Sequence, residues 1–534
     1  MMFEINGIGV APGIAIGKAF VIRDNSKVTL PPKGSVEAEK TKLTEAVRKV
    51  DYELEQLIAL EGQLHEIKEI MQAHQMMIGD PELLSSAEGL MDSGKSAYEA
   101  YAESAMGFCH MLSQVDDPYL RQRVQDIKDA TGRVLDVLSG RKTFDPSLIE
   151  SPVILVANDI PPSMAARFKA GMVLGIVTEI GGETSHTAIL ANALGIPAIL
   201  GVVNAVEKLD EHWLILDGGA GCVLVSPDDA TRETYRLKAV ALAQEKEMLQ
   251  RLIGVETITS EGIKVAIYGN IGSAEEAKLV AENGGEGVGL FRTEFLFMDS
   301  AEEPSEDAQF NAYKAAVTHL SGKPVIIRTL DVGGDKHIPY LDIPKEENPF
   351  LGYRAIRYCL DHEPLFKTQI KAILRAAIYG SPKIMLPMIT KLDEIIRAKA
   401  LIKSAEAELE AAGVAYASVP VGIMVETPAA AIMADVFAKH VDFFSIGTND
   451  LTQYTLAADR MNPKVKDIYS YFDPSVLRLV EGVIKAANEA GIHVGMCGEA
   501  AGNEQLIPVL LGMGLREFSV SPGKLLKTKE ILMR

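Results

Sequence analysis

The sequence lacks the features of a membrane-embedded or secreted protein. It has no run of about 18 apolar residues, the length that a membrane-spanning helix needs. Its first residues, MMFEINGIGVAPG, contain no basic segment followed by an apolar run, so no secretory signal is expected. Its four cysteines lie far apart, with neither metal-ligand spacing nor a disulfide framework: Cys109, Cys222, Cys359 and Cys497. These absences predict a cytoplasmic protein in a reducing compartment.

Positive charge is also scarce. The 534 residues include 53 Lys and Arg against 73 Asp and Glu, a net charge of −20. Nucleic-acid phosphates would repel such a chain, so a nucleic-acid partner is not expected. The negative charge is compatible with a basic protein partner, and it is equally explained by a contribution to solubility alone. The length predicts roughly three or four domains, or fewer if one is a barrel.

The composition changes along the chain and predicts a multidomain α/β protein. Residues 1–25 and 145–228 combine short apolar runs with glycine and proline, as expected for one interrupted α/β domain. The interrupting residues 33–142 have apolar positions three and four apart and are predicted to form a helical bundle. A helix-forming stretch over 229–254 is predicted to be a linker helix, and 255–534 form the last domain.

Residues 255–534 contain eight strand candidates, each followed by a helix-like segment. Eight such units in about 280 residues predict a (β/α)8 barrel, whose active site lies at the C-terminal ends of the strands. The candidates are Val265–Gly269, Gly287–Phe291, Pro324–Leu330, Lys383–Met388, Pro420–Val425, Val441–Ile446, His493–Met496 and Glu517–Val520.

The stretch from Gly181 to Ala191, GGETSHTAILA, predicts a phosphoryl-binding helix start that carries a nucleophile. Its glycines let the backbone approach a bulky anion. Thr184 and Ser185 can cap the helix, so that its first N–H groups and its positive dipole end face outward. His186 is neutral much of the time near pH 7, and its ring nitrogen can then attack phosphorus. An ordinary capped helix explains the same residues, and the motif alone does not decide.

Polar side chains at the ends of the predicted strands suit a small anionic substrate. Arg292 and Arg328 end strands two and three, and each guanidinium can grip a carboxylate or phosphate through paired N–H groups. After strand six, Asn449 adds an amide donor, and Arg460 adds a further cation.

Two carboxylates at the same mouth suit a divalent metal. Glu426 and Asp450 end strands five and six, and they leave places in a Mg²⁺ octahedron for substrate oxygens and water. Cys497, which ends strand seven, could deliver a proton to a carbanion-like carbon. Buried ion pairs and a packed core cysteine are the structural alternative for each single residue. Complementary groups at five strand ends favour an active site instead.

Two stretches resemble signatures of the phosphoenolpyruvate-utilising enzymes. The His186 stretch resembles the first signature, and Asp442–Tyr454, DFFSIGTNDLTQY, closely resembles the second. Over essentially the whole chain, the domain order resembles that of the Enzyme I family of the bacterial phosphoenolpyruvate:sugar phosphotransferase system. The resemblance implies a swivelling phosphohistidine α/β domain with an inserted helical bundle, then a linker helix and a TIM-like barrel.

The resemblance also implies a role for each site residue. His186 would take the phosphoryl group of phosphoenolpyruvate and pass it to the histidine phosphocarrier protein HPr, and Cys497 would protonate the enolate to pyruvate. Glu426 and Asp450 would hold Mg²⁺. The substrate would be bound by Arg292, Arg328, Asn449 and Arg460, and its phosphoryl group would be supported by Lys336 and Arg354, the latter in the family-like NPFLGYR.

The same resemblance implies how the domains are used. The helical insert would dock HPr, because its stretch Ala73–Met77 resembles the docking region. The linker after Asp229 would be the pivot that carries the histidine domain between its two partners. The barrel would form a homodimer.

The chain departs from the family at two places. Asn192 stands where the family commonly has arginine, and the chain stops at Arg534, where family members usually continue for one or two helices. These departures leave open a regulatory or weakly active phosphoenolpyruvate-binding paralogue, which the intact set of site residues opposes.

Two other branches of the family fit less well. Pyruvate phosphate dikinase and phosphoenolpyruvate synthase share both signatures but need an ATP-grasp module, for which 534 residues leave no room. The nitrogen-regulatory Enzyme I paralogue adds an N-terminal sensory domain, whereas the first strand here is predicted within ten residues of the start.

Overall fold

The structure is a computed structural model, and its described residues divide into two compact units, Met1–Gln244 and Glu245–Arg534. Within the described part of the chain, no helix combines the length and the apolar character that crossing a membrane requires. The described residues are 2–23, 30, 32–59, 65–113, 118–141, 144–169, 171–182, 185–298, 300, 302–333, 338–462 and 464–534.

The first unit contains one sheet that a helical insert interrupts. Its order is β1-β8-β7-β3-β4-β5-β6-β2 among the described strands. The insert separates β3 from β4 in sequence, yet these two strands pair in parallel. The predicted interrupted α/β domain is therefore confirmed. The strands are β1 Phe3–Asn6, β2 Ile8–Ala11, β3 Ile14–Val21, β4 Val153–Ala157, β5 Val173–Thr178, β6 Ala198–Leu200, β7 Trp213–Asp217 and β8 Cys222–Val225.

In the described part of the first unit, five helices form the insert and four more follow it. The insert helices pack on one another through apolar faces, as in α1, which buries Leu43, Val50 and Leu54 at helical spacing. The last helix, α9, buries no residue along its length, as expected for a linker. The helices are α1 Val36–Ile58, α2 His65–Ile78, α3 Pro81–Asp92, α4 Ala97–Ser113, α5 Pro118–Ser139, α6 Pro162–Ala165, α7 His186–Leu194, α8 Ala205–Lys208 and α9 Asp229–Gln250.

The second unit is a closed barrel of parallel strands. All eight predicted strands are present, with bounds shifted by at most two residues, and the predicted barrel is confirmed. These strands are recognisable in the sequence as apolar runs because both faces of each strand are buried. They are β9 Ala266–Ile271, β10 Val288–Arg292, β11 Pro324–Arg328, β12 Ser381–Leu386, β13 Val421–Val425, β14 Phe443–Ile446, β15 His493–Met496 and β16 Glu517–Val520.

Helices surround the barrel and complete its outer core. They are α10 Ala274–Glu282, α11 Glu294–Met298, α12 Glu306–His319, α13 Ile356–Asp361, α14 Glu363–Ala376, α15 Leu392–Ala411, α16 Pro428–Ile432, α17 Ala434–Phe437, α18 Thr448–Leu456, α19 Pro474–Ala490, α20 Ile507–Gly512 and α21 Leu525–Met533.

Candidate active site

The two-residue period of the barrel strands places the predicted site residues at one mouth. A separate inner core contains Leu290, Ile326 and Met424, whereas their strand neighbours join the outer core under the helices. Side chains two positions apart share a face of a strand. Arg292, Arg328 and Glu426 each come two residues after one of these inner residues, so they continue the inner face at the C-terminal end.

A cavity of about 570 Å³ opens at this mouth. Its wall brings together eight residues that the sequence singled out: Arg292, Arg328, Arg354, Glu426, Asn449, Asp450, Arg460 and Cys497. Lys336 lies outside the described residues. The arrangement offers four guanidinium groups to an anion within a space suited to a small metabolite.

Arg328 is fixed by two carboxylates that the sequence analysis did not assign. Its Nη2 lies 2.6 Å from Glu294 Oε1, and its Nη1 lies 2.9 Å from Asp331 Oδ2. Arg354 contacts the other oxygen of Asp331, with Nη2 2.8 Å from Oδ1. Burial opposes charge on Arg328, but the attraction of Glu294 and Asp331 outweighs it and raises the pKa of this guanidinium. Both arginines are therefore held charged and oriented before any substrate arrives.

Glu426 and Asp450 form a buried acidic pair. Glu426 is 2% exposed, and its Oε1 accepts the backbone N–H of Met388 at 2.6 Å. Met388 has a φ of 58°, an uncommon conformation for a residue with a side chain, which costs on the order of 1 kcal/mol or more. Desolvation, followed by repulsion from Asp450 and Asp331, raises the pKa of Glu426 to about 8.

The acidic pair fits a divalent cation. Asp450 Oδ1 is buried and makes no hydrogen bond to a described residue, although Arg460 Nη1 lies 3.4 Å away. A cation next to Glu426 would remove the repulsion that raises its pKa. Among the described residues, no group of three His, Cys, Asp or Glu side chains has metal-ligand geometry. A hard ion that retains water and binds substrate oxygens is satisfied by two carboxylates.

Asn449 is positioned by a residue that the sequence analysis quoted without assigning it a role. Asn449 Nδ2 donates to Glu499 Oε1 at 3.2 Å, and the Glu499 backbone N–H donates to Asn449 Oδ1 at 3.0 Å. Tyr471 donates its hydroxyl to Glu499 Oε2 at 3.2 Å, and Tyr469 donates to the Asn449 carbonyl at 3.1 Å. Glu499 could have been found as the residue two positions after Cys497 at a strand end, whereas the tyrosines follow no strand.

Cys497 is a protonated thiol at the cavity wall. It is 4% exposed, and desolvation raises its pKa to about 11. A thiol with such a pKa keeps its proton near pH 7, as a proton donor must.

His186 begins helix α7 in the first unit, as predicted. Ser185 is the cap, and its hydroxyl accepts the backbone N–H of Ala188 at 3.3 Å. Gly181 has a φ of 121°, a conformation that favours glycine at this approach to the helix. Thr184, the other predicted cap, lies outside the described residues.

The ring of His186 contacts a carboxylate that the sequence analysis missed. Its Nε2 lies 2.5 Å from Oδ1 of Asp126 on α5. A hydrogen bond with Asp126 raises the pKa of His186, against the desolvation that lowers it. The sequence offered no signal for this contact, because the two residues lie on separate elements of different texture.

Three further residues of the first unit that bear on the predictions are described by the structure. The Asn192 side chain donates from Nδ2 to the carbonyl of Val10 at 2.7 Å and to that of Ala188 at 2.9 Å. Within the predicted docking stretch, Met76 is 73% exposed, whereas His74 is fully buried. Burial lowers the pKa of His74 to about 4.

One family accounts for nearly the whole chain. The PEP-binding domain of the PEP-utilising enzymes matches residues 246–534. The N-terminal domain of that family matches residues 6–123, and its mobile domain matches residues 149–221.

Curated relatives point to one branch of this family. The chain is 46% identical over 538 residues to a phosphoenolpyruvate-protein phosphotransferase of Priestia megaterium. That alignment covers 99% of this chain and 93% of the relative. Proteins of the same name are 44% identical in Geobacillus stearothermophilus, with the same coverage, and 44% identical in Bacillus subtilis, with 99% and 94% covered. The chain therefore belongs to the phosphoenolpyruvate–protein phosphotransferases, the Enzyme I branch of the PEP-utilising enzymes.

Proposed function

We propose that this enzyme transfers the phosphoryl group of phosphoenolpyruvate to His186 and from there to HPr, with release of pyruvate. This is the first step of sugar uptake by the phosphotransferase system. The names of the relatives support the overall reaction. The single observation that carries the assignment of the site is the convergence of four arginines, the carboxylates of Glu426 and Asp450, and the Cys497 thiol on one barrel cavity.

In this proposal the arginines bind the substrate and steady the transferred group. Arg292, Arg328 and Arg460, together with Asn449, bind phosphoenolpyruvate, while Arg354 supports its phosphoryl group. Because Arg328 and Arg354 are already oriented by carboxylates, little reorganisation is needed when charge spreads over the phosphoryl oxygens. Lys336 is assigned a supporting role by the family resemblance alone.

Glu426 and Asp450 are the proposed metal ligands, and Mg²⁺ is the proposed ion. When bound, such an ion neutralises developing charge on substrate oxygens. The chain's own part is to present two buried carboxylates, one of them fixed by the Met388 backbone.

The proposed reaction balances as follows. The lone pair of a His186 ring nitrogen forms the N–P bond as the P–O bond to the enolate breaks. Cys497 then gives its thiol proton to the terminal carbon of the enolate, which yields pyruvate. The thiol recovers a proton from solvent.

We further propose separate tasks for the segments that precede the barrel. Residues 33–142 dock HPr, residues 1–25 with 145–228 carry the phosphohistidine, and the linker helix over 229–254 is the pivot. The location is proposed as cytoplasmic, where phosphoenolpyruvate is made. A homodimer through the barrel, residues 255–534, is also proposed, and the exposed apolar side chain of Ile432 on the barrel supports it.

Pyruvate release with and without HPr tests the proposal. Without HPr, the enzyme with phosphoenolpyruvate and Mg²⁺ should release at most one pyruvate per chain and stop. With HPr in excess, release should continue. His186→Ala should remove both phases. A weakly active paralogue would show the single turnover without the continuing release, and continuous release without HPr would contradict a phosphohistidine intermediate.

A further inference from the structure

The carboxylate of Asp126 lies directly against Nε2 of the His186 ring. The Nε2–Oδ1 distance is 2.5 Å, and both residues belong to the first unit. Asp126 is 5% exposed, so its carboxylate is enclosed by the protein and does not belong to a freely moving surface side chain. The contact joins α5 of the helical insert to the start of α7.

This contact blocks nucleophilic attack from Nε2. An imidazole nitrogen and a carboxylate oxygen both carry lone pairs, so a contact this short is stable only when Nε2 carries a proton and the two groups form an ion pair. The Nε2 lone pair is then engaged and unavailable to phosphorus. The carboxylate would also repel the negative phosphoryl oxygens. A phosphorylated Nε2 and this arrangement therefore exclude each other.

Of the carboxylates that raise the pKa of His186, Asp126 is the one in direct contact with the ring. Asp129 on the same helix and Asp159 also attract a protonated ring, but electrostatically rather than through a hydrogen bond. Asp159 accepts the Thr187 hydroxyl at 3.0 Å. Next to Asp126, His74 is fully buried, and neither of its ring nitrogens has a hydrogen-bond partner among the described residues. This packing therefore carries an energetic cost, as expected of a state that another arrangement replaces.

We propose that Asp126 is an inhibitory positioning residue that latches His186 while it is unphosphorylated. This rests on the proposed function. The latch must open before His186 can be phosphorylated, whether the donor is phosphoenolpyruvate or phospho-HPr. On opening, the Nε2 proton leaves to solvent and Nδ1 holds one instead. The freed lone pair forms the N–P bond as the donor's bond to phosphorus breaks.

The test is the phosphorylation equilibrium of the full chain with phosphoenolpyruvate, pyruvate and Mg²⁺. Because the latch stabilises only the unphosphorylated form, Asp126→Asn should shift the equilibrium towards phospho-His186 by about tenfold, and Asp126→Ala by at least as much. Asp129→Asn is the matched control, since it removes the same charge one helical turn away, and it should shift the equilibrium about twofold or less. NMR titration should show a lower pKa of His186 in Asp126→Asn than in the control.

The latch would be overturned if wild type labels normally but the Asp126 variants show an unchanged equilibrium, or one shifted towards the unphosphorylated form. That result would leave the transferase assignment intact. A wild type that takes no label would overturn the proposed function and the latch with it. If the Asp126 variants do not fold, hydrogen exchange of the wild type decides. Phosphorylation should speed exchange of the α5 amides near Asp126, and unchanged exchange would contradict the latch.

Discussion

Replacing Glu426 with glutamine should stabilise the metal-free enzyme while removing its metal-dependent activity. Glu426 is 2% exposed, and its surroundings raise its pKa to about 8 from an ordinary value of 4.5. Without a metal, the carboxyl is therefore mostly protonated near pH 7 in the folded chain but ionised in the unfolded chain. Glutamine resembles the protonated form in shape and can still accept the Met388 N–H through its carbonyl.

The magnitude follows from proton linkage. Because the folded chain binds the proton more tightly, the stability that this group contributes is fully present below about pH 4.5 and is lost as the pH rises through about 8. The loss is about 1.4 kcal/mol per pH unit between these values, or on the order of 3 kcal/mol at about pH 7. Glutamine does not titrate and avoids this loss.

Thermal unfolding in chelator is the assay. At about pH 4.5, wild type and Glu426→Gln should unfold at nearly the same temperature, and the advantage of the variant should grow as the pH rises to about 8. In excess Mg²⁺ the order should reverse, because only the wild type gains binding energy from the ion. A variant that is less stable than wild type in chelator at neutral pH would refute the buried, repelled state of Glu426.

Three further predictions concern single steps. Arg328→Lys keeps the charge but loses the two-pronged contacts with Glu294 and Asp331, so kcat/KM for phosphoenolpyruvate should fall about 10- to 100-fold in steady-state kinetics. Cys497→Ala should slow pyruvate formation at least tenfold with little change in substrate binding by calorimetry, and unchanged pyruvate formation would leave another group as the acid. A fragment of residues 1–244, the first compact unit, should be labelled by phospho-HPr but not by phosphoenolpyruvate, and label from phosphoenolpyruvate would contradict the barrel site.

The barrel could be predicted from sequence because local signals specify it. Strands buried on both faces appear as continuous apolar runs, and His493–Met496 and Glu517–Val520 have the predicted bounds. The polar residue that follows each run then lies at the mouth, which explains why Arg292 and Glu426 were predicted to share a site with Asp450 and do share a cavity. The functional roles of these residues stay predictions.

Contacts between distant segments could not be predicted in this way. Nothing near Asp126 in sequence indicates that it reaches His186, because the contact depends on how the insert packs against α7. In the sequence, Asn192 stands out only as the residue that replaces the arginine common in the family, whereas in the structure its amide connects α7 to the backbone at Val10. Side-chain amides make such specific local contacts only once the backbone around them is placed.

The most direct test of the account is the site of the phosphoryl group after reaction with labelled phosphoenolpyruvate and Mg²⁺. A single acid-labile, base-stable label should form, and peptide mapping should place it on His186; the label should be absent from His186→Ala and should not be produced by labelled ATP. Glu426→Gln should take no label from phosphoenolpyruvate but should still accept it on His186 from phospho-HPr. Label on any other residue, or label that survives in His186→Ala, would contradict the transfer from the barrel to this histidine.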